Sequence, residues 1–286
     1  MKVVPFQVPQ TSKEAFRLQT DSLPHFYDQL HQHPEIQIMW ILKSEGTLIA
    51  NDYVGRFRPG DLFIIGSHQP HVFRNDDYFY ENRHDNHAAA ISLYFDRGYM
   101  GDHFWNLDEV KSIQRFLDST SQCFLVHGRT RHQVTTLMQD LIGASGVGKL
   151  IGFLEILKVL STSTELKGLC FAGRQASELP DTEGQRMNDI LQFTFSESHR
   201  KIYLSEVAQV ANLSVEAFCR YFKLRTQKTY TNFLNEVRIS NACKLLIRAD
   251  HTMQDVCYKT GFNNISNFNR IFKKVTGKTP TAYLRG

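Results

Sequence analysis

The feature that most restricts this chain is a repeat written into its last hundred or so residues. Leu204, Val207, Ala208 and Ala211 fall at i, i+3, i+4 and i+7, the apolar stripe of a short amphipathic helix. Forty-nine positions on, Met253, Val256, Cys257 and Thr260 repeat that spacing. Each stripe stops at a residue that tolerates left-handed backbone, Asn212 or Gly261, followed by an apolar anchor, Leu213 or Phe262. Ser214 and Asn264 then stand where an N-cap satisfies free backbone N–H groups and starts a second helix. From here the offset becomes 50, because the second turn is one residue longer: Phe218, Arg220, Phe222 and Lys223 correspond to Phe268, Arg270, Phe272 and Lys273. Phenylalanines four apart mark an inner face, and the arginine between them points away from it. The pattern predicts two helix-turn-helix units, each presenting its second helix to a DNA major groove.

On the outer face of the first recognition helix lie Glu216, Cys219 and Arg220; on the second lie Ser266, Asn269 and Arg270. Arginine can bridge guanine O6 and N7, and asparagine adenine N6 and N7, each good pair contributing about 1 to 3 kcal/mol of discrimination. An outward arginine serves as well on a phosphate or in solvent, so both roles stay open for Arg220 and Arg270. Lys223, Lys273, Lys274 and Lys278 read as phosphate contacts that fix register without reading sequence. Between the units, Tyr230 to Ile247 holds no proline or glycine and carries Phe233, Leu234, Val237, Ala242, Leu245 and Leu246, which predicts one long helix. Such a strut would hold two recognition helices near one DNA turn apart, about 34 Å.

Charge is segregated in the same sense. Residues 185–286 hold 16 Lys and Arg against 7 Asp and Glu, whereas residues 1–184 hold 17 against 22. A basic half beside an acidic one is the electrostatic footprint of a partner with a phosphate backbone. Five cysteines, Cys123, Cys170, Cys219, Cys243 and Cys257, are widely spaced without a CxxC pair, as expected of thiols in a reducing compartment. No apolar run approaches the ~20 residues that cross a bilayer, and Met1 to Arg17 lacks the apolar core of a secretory signal. These features predict a cytoplasmic protein with no membrane partner.

The run Gly261-Phe262 through Phe268, Arg270, Phe272-Lys273-Lys274, Gly277, Thr279-Pro280 and Tyr283 resembles the signature of the AraC family of bacterial regulators, and the resemblance covers about a third of the chain. Tyr203 departs from it, standing where the family usually places a Ser/Thr-type cap. Upstream, β-favouring runs at Ile36 to Leu42, Thr47 to Ala50 and Leu62 to Ile65 are broken by Glu45-Gly46, Asn51-Asp52 and Pro59-Gly60-Asp61. With His31-Gln32-His33 near the start and His71 ten residues after Asp61, the region resembles the cupin barrel that forms the effector domain of many AraC-family proteins. In metal-binding cupins two histidines, a glutamate and a later histidine converge on one ion. The matching positions are His31, His33, Gln37 and His71, so an amide replaces the acidic ligand and lowers the expected metal affinity. Glu35, on the strand face of Gln37 by period-2 alternation, is a candidate to restore it. The leading reading of His31, His33, Gln37 and His71 is therefore an organic effector pocket, with no metal or other cofactor; ordinary polar residues at a barrel mouth and a metal site are the alternatives. His68, His84 and His87 carry no motif.

Arg115 to Leu166 reads as helical, with Leu137, Leu141, Leu150, Leu154, Leu157 and Leu160 supplying either intradomain packing or a dimer seam. Gly143 to Lys149 has phosphate-loop spacing, but Leu150 stands where a Ser or Thr should hold magnesium, so the segment is expected to be a helix–helix turn. The expected organisation is multidomain: residues 1–167, a cupin-like β-barrel with a helical dimerisation segment at about 115–166; 168–184, a linker; and 185–286, an all-α domain with two helix-turn-helix units. Met1 to Asp28 forms an extension before the barrel, a candidate arm over the pocket. The implied function is a sequence-specific transcription regulator, not an enzyme, and by family resemblance an activator and a homodimer. Its expected partners are double-stranded DNA, a small-molecule effector such as a sugar or related metabolite, and RNA polymerase. The rivals are a metal-dependent cupin enzyme with a DNA-binding appendage and an architectural DNA protein without a ligand.

Overall fold

A computed structural model describes residues 14–80, 87–170, 181–247 and 251–284 of the chain. It divides into two compact units, one built from Val4–Tyr53 and Phe57–Leu179, the other chiefly from Pro180–Gly286.

The first unit is rich in sheet. Its strands are β1 (Arg17–Leu23), β2 (Ile36–Lys43), β3 (Gly46–Ala50), β4 (Tyr53–Phe57), β5 (Leu62–Ile65), β6 (His71–Asn75), β7 (Ala88–Phe95), β8 (Phe124–Val126) and β9 (Leu166–Gly168). They form a six-stranded sheet in the order β1-β7-β2-β5-β8-β9 and a three-stranded sheet in the order β4-β3-β6. The central strands are buried on both faces, which explains the unbroken run Ile-Gln-Ile-Met-Trp-Ile-Leu in β2. Period-2 alternation sorts their side chains. Ile38, Ile64 and Leu93 enter one core with Phe153, Ile156, Leu157 and Leu160. Met39, Phe63 and Ile65 face the other way, onto Leu48, Ala50, Phe57 and Phe73 of the smaller sheet.

Among the described residues these sheets do not close into the barrel that the sequence suggested. The turn Gly66 to Pro70, with His68 at φ 55, carries the chain from β5 to β6, and β6 pairs with β3 in the second sheet (Ala50 opposite His71, Gly46 opposite Asn75). A lone backbone bridge joins His31 to His71, with reciprocal N–H to carbonyl bonds of 3.0 and 2.8 Å.

Helices α1 (Gly101–Trp105), α2 (Lys111–Ser119), α3 (Gly128–Ile142) and α4 (Gly146–Ser161) complete the unit. The stretch expected to be helical throughout is interrupted by β8, because Phe124-Leu125-Val126 pairs with the edge of β5. Its leucines are core: Leu141, Leu157 and Leu160 are buried, while Leu137, Leu150 and Leu154 pack against the same cluster. The apolar surface left outside is Ile142, Val147 and Ile151. Gly143 to Ser145 forms the turn between α3 and α4, whereas Gly146 to Lys149, expected to belong to that turn, opens α4. Of the expected linker, residues 171–180 lie outside the described residues, as do 1–13 of the N-terminal extension and His84. Arg17–Leu23, expected in a mobile arm, is instead an edge strand paired with β7.

The described part of the second unit is helical: α5 (Asp181–Glu197), α6 (Leu204–Val210), α7 (Val215–Thr226), α8 (Tyr230–Ile247), α9 (Met253–Lys259), α10 (Ile265–Thr276) and α11 (Pro280–Leu284). Both helix pairs stop as their sequences require, Asn212 at φ 53 and Gly261 at φ 84. Both second helices are capped as expected: Ser214 Oγ accepts from Ala217 N–H at 3.2 Å, and Asn264 Oδ1 from Asn267 N–H at 2.9 Å. Tyr203 provides no side-chain cap for α6; its backbone N–H donates to the Glu206 carboxylate at 2.8 Å. Phe218, Phe222, Phe268 and Phe272 are fully buried, and in each pair the rings stand 5.7 Å apart. Tyr230 and Phe233 of α8 pack on the first pair, and Ile239, Ala242 and Leu246 of α8 share a core with the second. Eighteen residues of helix give α8 a length of about 27 Å.

Candidate nucleic-acid interface and histidine cluster

Burying Phe218 and Phe222 against α8 fixes which face of α7 looks outward, and Phe268 and Phe272 do the same for α10. All of the singled-out residues on those faces are exposed: Glu216, Cys219, Arg220 and Lys223 on α7, and Ser266, Asn269, Arg270, Lys273 and Lys274 on α10. The Arg270 guanidinium is oriented by a 2.8 Å bond to Asn267 Oδ1 one turn earlier, which leaves further donors facing solvent. Hydrogen bonds from its own backbone N–H and from the Ser214 hydroxyl hold the Glu216 carboxyl below its usual range, with Arg220 adding to the effect. The outer face of α7 thus carries one ionised acid among its bases, whereas that of α10 carries none among its described residues. An acceptor of this kind suits the exocyclic amine of cytosine, and the arginines suit guanine or phosphate.

In the first unit the structure brings His31, His33, Gln37 and His71 together. They are 9, 2, 4 and 1% exposed, so the cluster is interior. Each imidazole is anchored through Nδ1 on a backbone carbonyl: His31 on Gln29 at 2.9 Å, His33 on Glu35 at 2.9 Å, His71 on Gln69 at 2.8 Å. A ring donating through Nδ1 keeps its Nε2 lone pair for another partner. Burial is the largest cause lowering all three pKa values, His31 to about 4, so the rings are neutral at pH 7. One ligand atom from each of the three lies within 4.8 Å of the others. Neutral imidazoles converging with fixed tautomers form a donor set suited to a borderline divalent metal ion.

Gln37 sits at the side of this set, its side-chain amide 3.1 Å from His71 Nε2 and 3.0 Å from Tyr94 Oη. Glu35 does not restore an acidic ligand beside it. Its carboxylate lies 3.5 Å from His33 Nδ1, on the side of the ring away from Nε2, because Glu35 precedes the first residue of β2 and the strand alternation does not reach it. It orients and polarises His33 instead. Tyr94, a neighbour sequence reasoning missed, is the register partner of Gln37 across β2 and β7. Burial holds its phenol well above its usual pKa, so it stays a neutral donor and acceptor. Its only sequence signal is an apolar run on β7 that lacks alternation.

With this geometry established, comparison with known proteins gives a consistent result. A helix-turn-helix domain model matches residues 207–286. Over 97% of both chains, the protein is 25% identical to the uncharacterized HTH-type transcriptional regulator YdeC of Bacillus subtilis. It is 23% identical to the HTH-type transcriptional activator RhaR of Yersinia pestis over 90% of this chain and 84% of that one. A third HTH-type regulator, from Pseudoalteromonas carrageenovora, is 38% identical over 84 residues, 29% of this chain and 49% of its own. Among solved structures, ToxT of Vibrio cholerae aligns over 95% of this chain and 99% of its own at 10% identity and a TM-score of 0.36, too loose a likeness to bear on function.

Proposed function

We propose that the chain, which carries an AraC-type helix-turn-helix domain at its C-terminus, is a transcriptional regulator of that family in which α7 and α10 enter successive major grooves of double-stranded DNA under the control of an effector held in the N-terminal unit. The observation that carries this is the pair of exposed, arginine-bearing faces on two helices packed against one continuous α8. In this reading Glu216, Cys219, Arg220, Ser266, Asn269 and Arg270 face base edges, while Lys223, Lys273 and Lys274 hold phosphates. The effector acts by binding one arrangement of the protein more tightly than another, which shifts the population that binds DNA. Activation, a homodimer assembled through the N-terminal unit and contact with RNA polymerase complete the proposal. RhaR, a transcriptional activator by name, supports the sign.

Selection of bound genomic fragments followed by footprinting, repeated with a metabolite panel, tests this reading. Two protected half-sites about one helical turn apart are expected, with occupancy that changes on adding one class of compound. No sequence preference at all would overturn it in favour of an architectural DNA protein.

The effector site is assigned to His31, His33, Gln37 and His71, in a cupin-like unit whose two facing sheets meet around them. One observation favours a second reading of that site: three neutral imidazoles, each pinned at Nδ1, converge as ligands for a single metal ion. A bound zinc-class ion would supply Lewis acidity and a positive anchor for an oxygen-bearing effector. His31, His33 and His71 would hold it, with the Gln37 amide oxygen beside them. Near one metal per chain in purified protein, lost in His71→Ala, supports this second reading. Turnover of a substrate by the metal-loaded protein would instead support the enzyme alternative.

A further inference from the structure

One arginine in the second unit grips two main-chain carbonyls of a neighbouring loop. Arg238, in the middle of α8, turns its guanidinium to the loop that follows α5, where Nε donates to the Ser198 carbonyl at 2.9 Å and a terminal nitrogen to the Arg200 carbonyl at 2.6 Å. The same guanidinium stands 5.6 Å from the centre of the Phe262 ring, the anchor that follows the turn of the second helix-turn-helix unit. Gly261 makes this close approach possible: a Cβ there would lie 2.3 Å from the Ser198 carbonyl oxygen and 2.8 Å from Arg238 Nε. Asn241, one turn on, adds a 3.2 Å bond to Ser198 Oγ.

The loop gripped in this way is also tied to the first helix-turn-helix pair. Arg200 pairs with Glu197 at the end of α5 at 2.6 Å and with Glu206 of α6 at 2.8 Å. Tyr230 Oη, at the start of α8, meets Thr194 Oγ1 of α5 at 2.9 Å. The end of α5 is therefore a shared footing: Arg200 fastens the first helix pair to it and Arg238 fastens the second. Without Arg238, the single Asn241 bond to Ser198 Oγ and apolar packing, which is not directional, would remain to orient this footing. A planar fork with two carbonyls on one side and a ring on the other fixes both distance and rotation.

We infer that Arg238 is a positioning residue for DNA reading, setting the separation and rotation of α10 relative to α7 by locking the second helix-turn-helix unit to the end of α5. It touches no base in this scheme and acts through the geometry of the pair. The inference rests on the two-groove reading proposed above and adds the device that makes two half-sites bind as one.

The test uses the full-length protein and DNA bearing its selected site. Companion fragments carry one or two base pairs inserted between the half-sites, or one half-site scrambled. A rigid pair loses most of its bivalent advantage when the spacing is wrong, on the order of 100-fold or more. Arg238→Met keeps the aliphatic stem and removes the fork. It is expected to bind the correctly spaced site about tenfold or more weakly, to bind single half-sites as the wild type does, and to show a spacing penalty reduced to a few fold. Arg238→Lys, which retains charge without the fork, is expected to lie between them and carries the test if the methionine variant fails to fold. A variant that keeps the wild-type spacing penalty overturns the inference, and so does equal weakening of both single half-sites, which marks a merely structural role. Absence of any spacing penalty in the wild type would instead overturn the two-groove reading.

Discussion

Gly261 and Gly277 form a natural control for one another. Both hold left-handed backbone at the end of a helix, at φ 84 and φ 77. A Cβ on Gly277 would meet nothing within 4 Å, whereas one on Gly261 would lie 2.3 Å from the Ser198 carbonyl oxygen. Gly277→Ala therefore pays only the conformational penalty of an L-residue in that region, about 1 to 2 kcal/mol. Gly261→Ala incurs the same penalty and must also push the Ser198 carbonyl away by about 1 Å to reach ordinary contact. That displacement breaks the 2.9 Å bond from Arg238, and a hydrogen bond to a charged group contributes about 1.5 to 3 kcal/mol. The total is about 2.5 to 5 kcal/mol, so the two substitutions should differ by about 2 kcal/mol, a factor of about 30 in the opening equilibrium. Hydrogen exchange at the amides of α9 and α10 measures that equilibrium directly. Both tryptophans, Trp40 and Trp105, lie before the second unit, so their emission during urea unfolding serves as an unaffected reference. Equal loss of protection in the two variants, within about 0.5 kcal/mol, would refute the crowded contact and with it the grip of Arg238.

Arg270→Ala should relax discrimination at a few base pairs, by about 1 to 3 kcal/mol at those positions, while Lys273→Ala weakens binding to all sequences and lowers the salt slope by about 1; equal behaviour in a salt titration would reverse those role assignments. Phe272→Ala, emptying a fully buried site, should cost about 3 to 5 kcal/mol and remove sequence-specific binding, read by thermal melting and footprinting together. Thr252→Ala removes the hydroxyl that accepts from Asp255 N–H at 3.1 Å and should cost about 1 kcal/mol by denaturant titration, with protection lost first in α9. The Asp255 carboxyl is held below its usual range chiefly by the Thr252 side chain. Its contribution is thus fully present above the ordinary carboxylate pKa and is lost as pH falls through the depressed value, a fade that amide exchange in α9 should follow. Extensive dialysis against a chelator should lower the melting temperature of the N-terminal unit, and zinc should restore it in the wild type but not in His71→Ala.

The helical unit was legible because its signals are local. A cap, a left-handed stop and a phenylalanine pair four apart each act within one or two turns, and α8 runs from Tyr230 to Ile247 as the absence of glycine and proline implied. Even α5, which the sequence reading passed over, carries a stripe at Met187, Ile190, Leu191 and Thr194 that the structure buries. The sheet unit was legible only in part. β2, β3 and β5 follow their apolar runs, but β7 is buried along its whole length, so alternation, the usual strand signal, is missing. Which strand lies beside which is a matter of long-range register, and for that reason Tyr94 could not be matched with Gln37, 57 positions away. The four polar residues of the histidine cluster were found because their spacing matches a known motif; their depth of burial was not foreseen. Arg238 gave no signal at all, since an arginine on an amphipathic helix reads as solvent-facing until the loop above it is known.

The two reading helices end differently. α10 closes on Gly277, for which a left-handed backbone is unstrained, whereas α7 closes on Gln227, held at φ 55 against its preference. About 1 kcal/mol is stored in that glutamine and released whenever the final turn lets go. The tail of α7, which carries Lys223 and Arg225, is therefore expected to open more readily than its counterpart, which amide exchange would read. On the DNA-reading role proposed above, amide exchange is expected to show the last turn of α7 gaining more protection on DNA binding than the last turn of α10.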